Sequence, residues 1–258
     1  MGRTIDDYAY SNGLKNTNSL FKVLFALLTM LICVISTSPI IPFIIIFFIM
    51  FLIIFKAKIP YKFYLKFLSV PLFFGILTFL FMTLFFGMME PWFKINLINI
   101  IIYKDGFNLG ILVFTRILGG FSCLGFLALT TPMTEIFSLL ERFKIPLIIL
   151  EIAMIMYRYI FVFLEETTNM YQSQKTRLGY QSIKGSFQSL GILAGNLFIR
   201  TWIRGEQIYI SMESRCYNGS IKSFKTQNSI STKNIVLLIS FEFLIIIGTY
   251  LTANYKIL

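Results

Sequence analysis

The sequence predicts an all-α integral membrane protein with about five transmembrane helices and a helical cytoplasmic domain. Three observations predict it. Hydrophobic residues make up 57% of the 258 positions, 29 of them Phe, which no ordinary soluble domain carries. Apolar runs of about 20 residues, the length a bilayer core demands of a helix, recur along the chain. A basic, polar stretch then interrupts them late in the sequence. A membrane barrel would instead show alternating segments of about ten residues.

The first apolar run, LFKVLFALLTMLICVIST, covers residues 20–37, and Ser38-Pro39 breaks it before a second run that ends at Phe55. The pair reads as a tight helical hairpin, because proline removes a helix donor and opens a new turn. The connector KAKIPYKFYLK supplies Lys56, Lys58, Lys62 and Lys66 without an acid. Lys and Arg collect in cytoplasmic loops, so this connector and the N-terminus two crossings earlier are expected inside. The net charge of +11 has the same origin and does not point to nucleic acid.

A third span is expected over about 67–89 and a fourth over about 109–129. Between them EPWFKINLINIIIYKDGFN is a loop with balanced charges. TPMTEIFSLLERFKIP follows, where Thr131 can cap and Pro132 can open a short helix that Pro146 ends. Its Ile136, Leu139, Leu140 and Phe143 form one apolar side.

Residues 146–166, PLIILEIAMIMYRYIFVFLEE, are apolar enough to cross but carry Glu151, Arg158 and Glu165 on one helical face. Each charge at bilayer mid-depth costs about 2.5–3.5 kcal/mol. A crossing here would also place residues 165–232, with eight basic and four acidic residues, outside. Residues 146–164 are therefore expected to be a helix packed at the cytoplasmic interface. The last span is NIVLLISFEFLIIIGTYLTA, about 234–253, and the C-terminus lies outside. The domain organisation is 1–130 for the tail and four spans, 131–232 for the cytoplasmic domain, and 233–258 for the last span.

Within the cytoplasmic region, residues 198–216 at 100° per residue form a segregated helix. Arg200, Arg204, Gln207, Ser211, Ser214 and Arg215 fall in one sector, opposite Phe198, Trp202, Tyr209, Met212 and Cys216. Gly205 on the apolar side would permit close packing of another helix. The arginine stripe suits either lipid phosphates or a soluble protein, since a guanidinium fork pairs with carboxylates and backbone carbonyls. Upstream, KTRLG presents Thr176, Arg177, Leu178 and Gly179; SRCYNG presents Ser214, Arg215, Cys216 and, at its end, Gly219. Two arginine-centred helix ends read as two anchoring points.

Taken together, TPMTEIFSLLERFKIP, MYRYIFVFLEE, KTRLG and RTWIRGEQIYISMESRCYNG resemble the transmembrane T component of energy-coupling-factor transporters, in its cobalt-type, CbiQ-like branch. The resemblance extends over most of the chain. It implies a scaffold subunit in the cell membrane whose two Ala-Arg-Gly motifs dock helix ends into two ATP-binding cassette ATPase subunits. Thr176-Arg177-Leu178 and Ser214-Arg215-Cys216 would be those motifs; both keep the arginine, and Cys216 stands where glycine is usual. It further implies a separate substrate-binding membrane subunit, CbiM-like, with ATP bound by the partners and no cofactor or metal held by this chain. The chain has no histidine and only three cysteines, without a CxxC pair. Cobalt is the expected solute, with nickel or a vitamin as alternatives.

Two other classes fit less well. A membrane enzyme would need paired carboxylates, or His with Asp, near one interface. A stand-alone secondary transporter usually shows internal repeats with interrupted spans. Neither pattern is visible. Two charges remain inside expected spans, Arg116 in the fourth and Glu242 in the last. Buried charges mark function by default, and similar depths allow the two to pair; outward snorkelling of Arg116 is the alternative.

Overall fold

The computed structural model describes residues 5–15, 17–86, 91–95, 100–218 and 232–252. It is a helical membrane protein, and the chain divides into two compact units: Met1–Ile136 with Thr226–Leu258, and Phe137–Lys225.

In the first unit, a short helix α1 (Ile5–Ser11) precedes α2 (Ser19–Ile35), whose start is capped by the Asn18 side chain accepting from the Leu20 N–H. Capping matters here because the first turn of a helix leaves its N–H groups unpaired. Ser38-Pro39 turns the chain as expected, and α3 (Ile40–Phe51) runs into a π-helical turn over Leu52–Lys56. Helix α4 (Tyr61–Phe85) starts about six residues before the expected span, immediately after Pro60. Lys62 and Lys66 thus belong to its first turns, where long side chains can carry their charge to the interface. Helix α4 also continues through Pro71.

The expected loop between the third and fourth spans holds a two-stranded antiparallel pair, β1 (Pro91–Ile95) and β2 (Ile100–Tyr103). Its β-branched IIIY run suits extended backbone, a signal that a search for spans passes over. Helix α5 (Lys104–Thr130) follows, five residues longer at its start than expected, and then the short α6 (Met133–Arg142). The first unit is completed by α9 (Thr232–Thr252).

Its core lies among α2, α3, α4, α5 and α9, centred on Phe25, Ile45, Tyr64, Phe126 and Ile245. Phe241 of α9 stacks on Phe48 of α3 at 4.3 Å between ring centroids. Close helix approach rests on small residues, as is usual between membrane helices. A Cβ at Gly119 of α5 would lie 2.5 Å from the Cys33 Sγ of α2.

The N-terminal segment fastens one end of this bundle. The Asn12 amide donates to the carbonyls of Ala9 at 2.6 Å and Thr130 at 3.1 Å, and its oxygen accepts from the Leu14 N–H at 2.9 Å. Buried Lys22 also donates to the Thr130 carbonyl, at 2.9 Å. These donors satisfy a carbonyl that the end of α5 leaves unpaired. The Gly13 N–H bonds to the Ala57 carbonyl, and a Cβ on Gly13 would sit 2.5 Å from the Lys56 carbonyl oxygen. Replacing Asn12 by Ala is expected to cost about 1–3 kcal/mol, because it strips partners from buried backbone groups. Thermal unfolding in mild detergent measures it, and an unchanged midpoint would contradict the clamp.

The second unit contains the end of α6 and two long helices, α7 (Leu147–Thr176) and α8 (Ile183–Glu213). Helix α8 begins 15 residues before the expected amphipathic segment, with Ser182 capping it by accepting from the Gly185 N–H.

By length and composition, Tyr61–Phe85, Lys104–Thr130, Leu147–Thr176 and Ile235–Thr252 can each cross a membrane. Ser19–Ile35 and Ile40–Lys56 are shorter apolar helices. The protein is therefore a multi-pass membrane protein, and α7, expected to be an interface helix, meets the composition of a span.

Candidate functional site

The two arginine-centred segments adopt the same backbone geometry at the ends of α7 and α8. At the first, Arg177 is the C-cap and Leu178 has φ +62°. The Gly179 N–H reaches back to the Gln174 carbonyl at 3.0 Å and the Leu178 N–H to Lys175 at 3.1 Å. At the second, Cys216 has φ +57°. The Tyr217 N–H reaches the Met212 carbonyl at 3.1 Å and the Cys216 N–H reaches Glu213 at 3.0 Å. Both are Schellman turns, in which one left-handed residue lets two N–H groups satisfy the last helix carbonyls.

The third residue of each motif, Leu178 and Cys216, is the one in the left-handed region. That explains glycine in the Ala-Arg-Gly pattern: without a Cβ, glycine reaches positive φ at no steric cost. Cys216 departs from the pattern in its side chain, yet its backbone closes the same turn as Leu178. The turn closes at Cys216, and Gly219 lies outside the described residues. A left-handed L-residue costs about 1–2 kcal/mol, and glycine's extra backbone freedom returns about 0.5–1 of it. Leu178→Gly and Cys216→Gly are each expected to stabilise the second unit by about 0.5–1 kcal/mol. Thermal unfolding checks this, and destabilisation by glycine would contradict the strain.

The presented side chains are exposed. Thr176, Arg177, Leu178, Ser214, Arg215 and Cys216 all face outward, and Gly179 is half-buried. The first turn is braced locally. The Tyr180 hydroxyl donates to Gln174 Oε1 at 2.7 Å, the Gln174 amide to the Ser189 carbonyl at 3.1 Å, and the Ser189 hydroxyl to the Gly179 carbonyl at 2.8 Å. A Cβ on Gly179 would meet Ser189 Oγ at 2.6 Å, so no larger residue fits without displacing that brace.

The second turn is held from a distance. The Tyr217 hydroxyl donates to Glu151 Oε2 at 2.5 Å, across 66 residues. Glu151 is buried in the first turns of α7, whereas Arg158 and Glu165, expected to share its face, are exposed. The hydrogen bond to the Glu151 carboxylate, helped by partial desolvation, holds the Tyr217 phenol above its ordinary value. The charge that made α7 a compromised span thus has a partner at the end of α8.

Arg200 and Arg204 lie exposed on α8. The opposite face departs from expectation: Phe198, Trp202 and Tyr209 are 67%, 70% and 63% exposed, and a Cβ on Gly205 meets nothing within 4 Å. The aromatic side of α8 is thus open among the described residues.

The pairing of Arg116 with Glu242 is not what the structure contains. Arg116 of α5 donates through Nε and Nη2, at 3.0 and 2.7 Å, to the Ser36 carbonyl at the end of α2. Both Glu242 carboxylate oxygens are buried and have no hydrogen-bond partner among the described residues. The carbonyl at a helix C-terminus already carries partial negative charge, which gives the guanidinium an acceptor of its own. Among the described residues, no group of three or more His, Cys, Asp or Glu could hold a metal ion.

Residues 11–226 match the CbiQ family model, described as a cobalt transport protein. The chain belongs to the CbiQ cobalt transport protein family. The match includes both arginine turns. An uncharacterized protein of Methanocaldococcus jannaschii is 46% identical over 98% of this chain and 95% of its own length. A relative in Methanocorpusculum labreanum carries the name of a fused cobalt transport protein, CbiMQ; it is 36% identical over 83% of this chain and 36% of its own length. The cobalt transport protein CbiQ of Salmonella typhimurium is 32% identical over 41% of this chain and 47% of its own length. As a CbiQ-family member the protein is a membrane transport component.

Proposed function

We propose that this CbiQ-family protein is the energy-coupling scaffold of an ATP-driven cobalt importer. Arg177 and Arg215 present matched helix ends to two ATP-binding cassette ATPase subunits. Closure of the ATPases on ATP would draw the two turns together and move α7 and α8. The membrane unit would pass that motion to a separate substrate-binding membrane subunit of CbiM type.

The observation that carries this reading is the identity of the two turns. Two exposed arginines, each in a helix-ending turn and followed by a left-handed residue, suit two like sites on a paired partner. An arginine fork pairs readily with carboxylates and carbonyls on another protein. The CbiMQ fusion in a relative supports a CbiM-like partner, since fused polypeptides place their halves together. ATP binds the partner subunits, and cobalt passes through the substrate-binding subunit; this chain contributes the link. Nickel remains the competing solute.

In this reading the second unit is cytoplasmic and α7 does not cross. The basic residues of 165–232 outnumber the acidic ones, and that excess belongs inside. Cys216 is exposed while Cys33 and Cys123 are buried. A membrane-impermeant maleimide is therefore expected to label Cys216 in inside-out vesicles and not in right-side-out ones; the reverse result would place the turn outside. The function itself is tested by uptake of radioactive cobalt into vesicles holding the chain with its ATPases and membrane partner. Uptake is expected to need ATP and to vanish when this chain is left out; undiminished uptake without it would refute the role.

A further inference from the structure

We infer that Tyr217 and Glu151 form a latch that positions the second arginine turn against the start of α7. The inference rests on the reading that Arg215 docks an ATPase subunit, and it names what sets the docking geometry.

The two turns share a backbone but differ in how they are held. The first is braced by Gln174, Tyr180 and Ser189, all within 15 residues of one another and within the turn and its two flanking helices. The second lies at the end of α8, and its side-chain tether runs to a residue 66 positions away. Tyr217 is the last residue of that turn: its N–H closes the helix on Met212 while its hydroxyl binds Glu151. Glu151 is 4% exposed and sits four residues after α7 begins, behind Pro146. A buried carboxylate is costly unless it accepts hydrogen bonds, and a phenol donor at 2.5 Å is a strong partner. Displacing Tyr217 would strip that donor from Glu151, so the turn and the start of α7 move together. Tyr217 and Glu151 are thus positioning residues, acting through the backbone that aims Arg215.

The exposed thiol of Cys216, one residue from the latch, reports on the turn, while buried Cys33 and Cys123 report on unfolding. Full-length chain is purified in mild detergent with whatever ATPase subunits the wild type retains, and maleimide labelling of Cys216 is timed. Tyr217→Phe and Glu151→Ala are each expected to raise the labelling rate several-fold. Each should also lower retained ATPase about tenfold, the factor that ~1.4 kcal/mol corresponds to. Glu151→Gln keeps an accepting oxygen and is expected to stay within about twofold of wild type. The double variant Tyr217→Phe with Glu151→Ala should be no worse than Glu151→Ala alone, because that variant has already lost the Tyr217 contact. Wild-type labelling in both single variants, additive losses in the double, or Glu151→Gln as damaging as Glu151→Ala would each overturn the latch. Should Glu151→Ala expose the buried thiols, Tyr217→Phe, which deletes a single oxygen atom, decides the matter. A wild-type chain that retains no ATPase refutes the scaffold reading, and the Cys216 rates still decide the latch.

Discussion

Reversing Arg177 and Arg215 together to glutamate removes the ATPase subunits from the purified protein and leaves both of its units folded. Both arginines are exposed, and each turn is closed by backbone hydrogen bonds that do not involve the guanidinium. Exposed substitutions of this kind usually change stability by less than about 0.5 kcal/mol. Docking loses far more. Removing one partner of a desolvated charged pair costs about 2–5 kcal/mol, and a glutamate adds like-charge repulsion wherever the arginine met a carboxylate. Lost at two sites, this amounts to at least about a thousandfold in affinity. Each single reversal should leave a weakened complex held by the other turn. Co-purification, read beside thermal unfolding of the free chain, separates the two effects. Wild-type ATPase retention by the double variant would contradict the docking role of the turns.

Glu242→Met stabilises the free protein by about 1–3 kcal/mol, the usual cost of a buried polar group without hydrogen bonds. Glu242 is 6% exposed, lies in α9 beside Phe241, and neither of its oxygens has a hydrogen-bond partner among the described residues. Methionine has similar length and a flexible apolar stem, so it fills the space without forcing neighbours apart. Arg116 provides the contrast. Its two hydrogen bonds give the Ser36 carbonyl a charged partner, so Arg116→Met is expected to lower the unfolding midpoint while Glu242→Met raises it. Detergent melts of the two variants test this; a lowered midpoint for Glu242→Met would show that the carboxylate has a partner in solution. A more stable Glu242→Met protein with reduced cobalt uptake would identify the carboxylate as retained for transport.

Much of the membrane unit was legible because its signals are local. The Ser38-Pro39 break, the lysine connector and the apolar runs each reside in contiguous residues, and α2, α3, α5 and α9 follow from them. Boundaries were less legible. Helix α4 begins at Tyr61 because Pro60 starts it, while Lys62 and Lys66 made those turns look like a loop. The strand pair was hidden because its IIIY run is apolar on any scale and only backbone pairing distinguishes it. In the site, both arginines could be picked out from residue type and position near a helix end. Their common turn could not, since Leu178 and Cys216 betray no preference for positive φ. The tether from Tyr217 to Glu151 spans 66 residues, and its one trace in the sequence was a charge set in an apolar helix. Glu242 is buried and Arg116 half-buried, and the partner of Arg116 is a backbone carbonyl, which no side-chain pattern encodes.

In the proposed role this chain links two ATPases to a second membrane protein. Affinity purification of the chain from native membranes in mild detergent, followed by identification and counting of what accompanies it, is the decisive measurement. Two ATP-binding cassette subunits per chain and a separate CbiM-type membrane subunit are expected, the ATPases being released by the double arginine reversal. A chain that purifies alone and moves cobalt by itself after reconstitution would rule out the linking role.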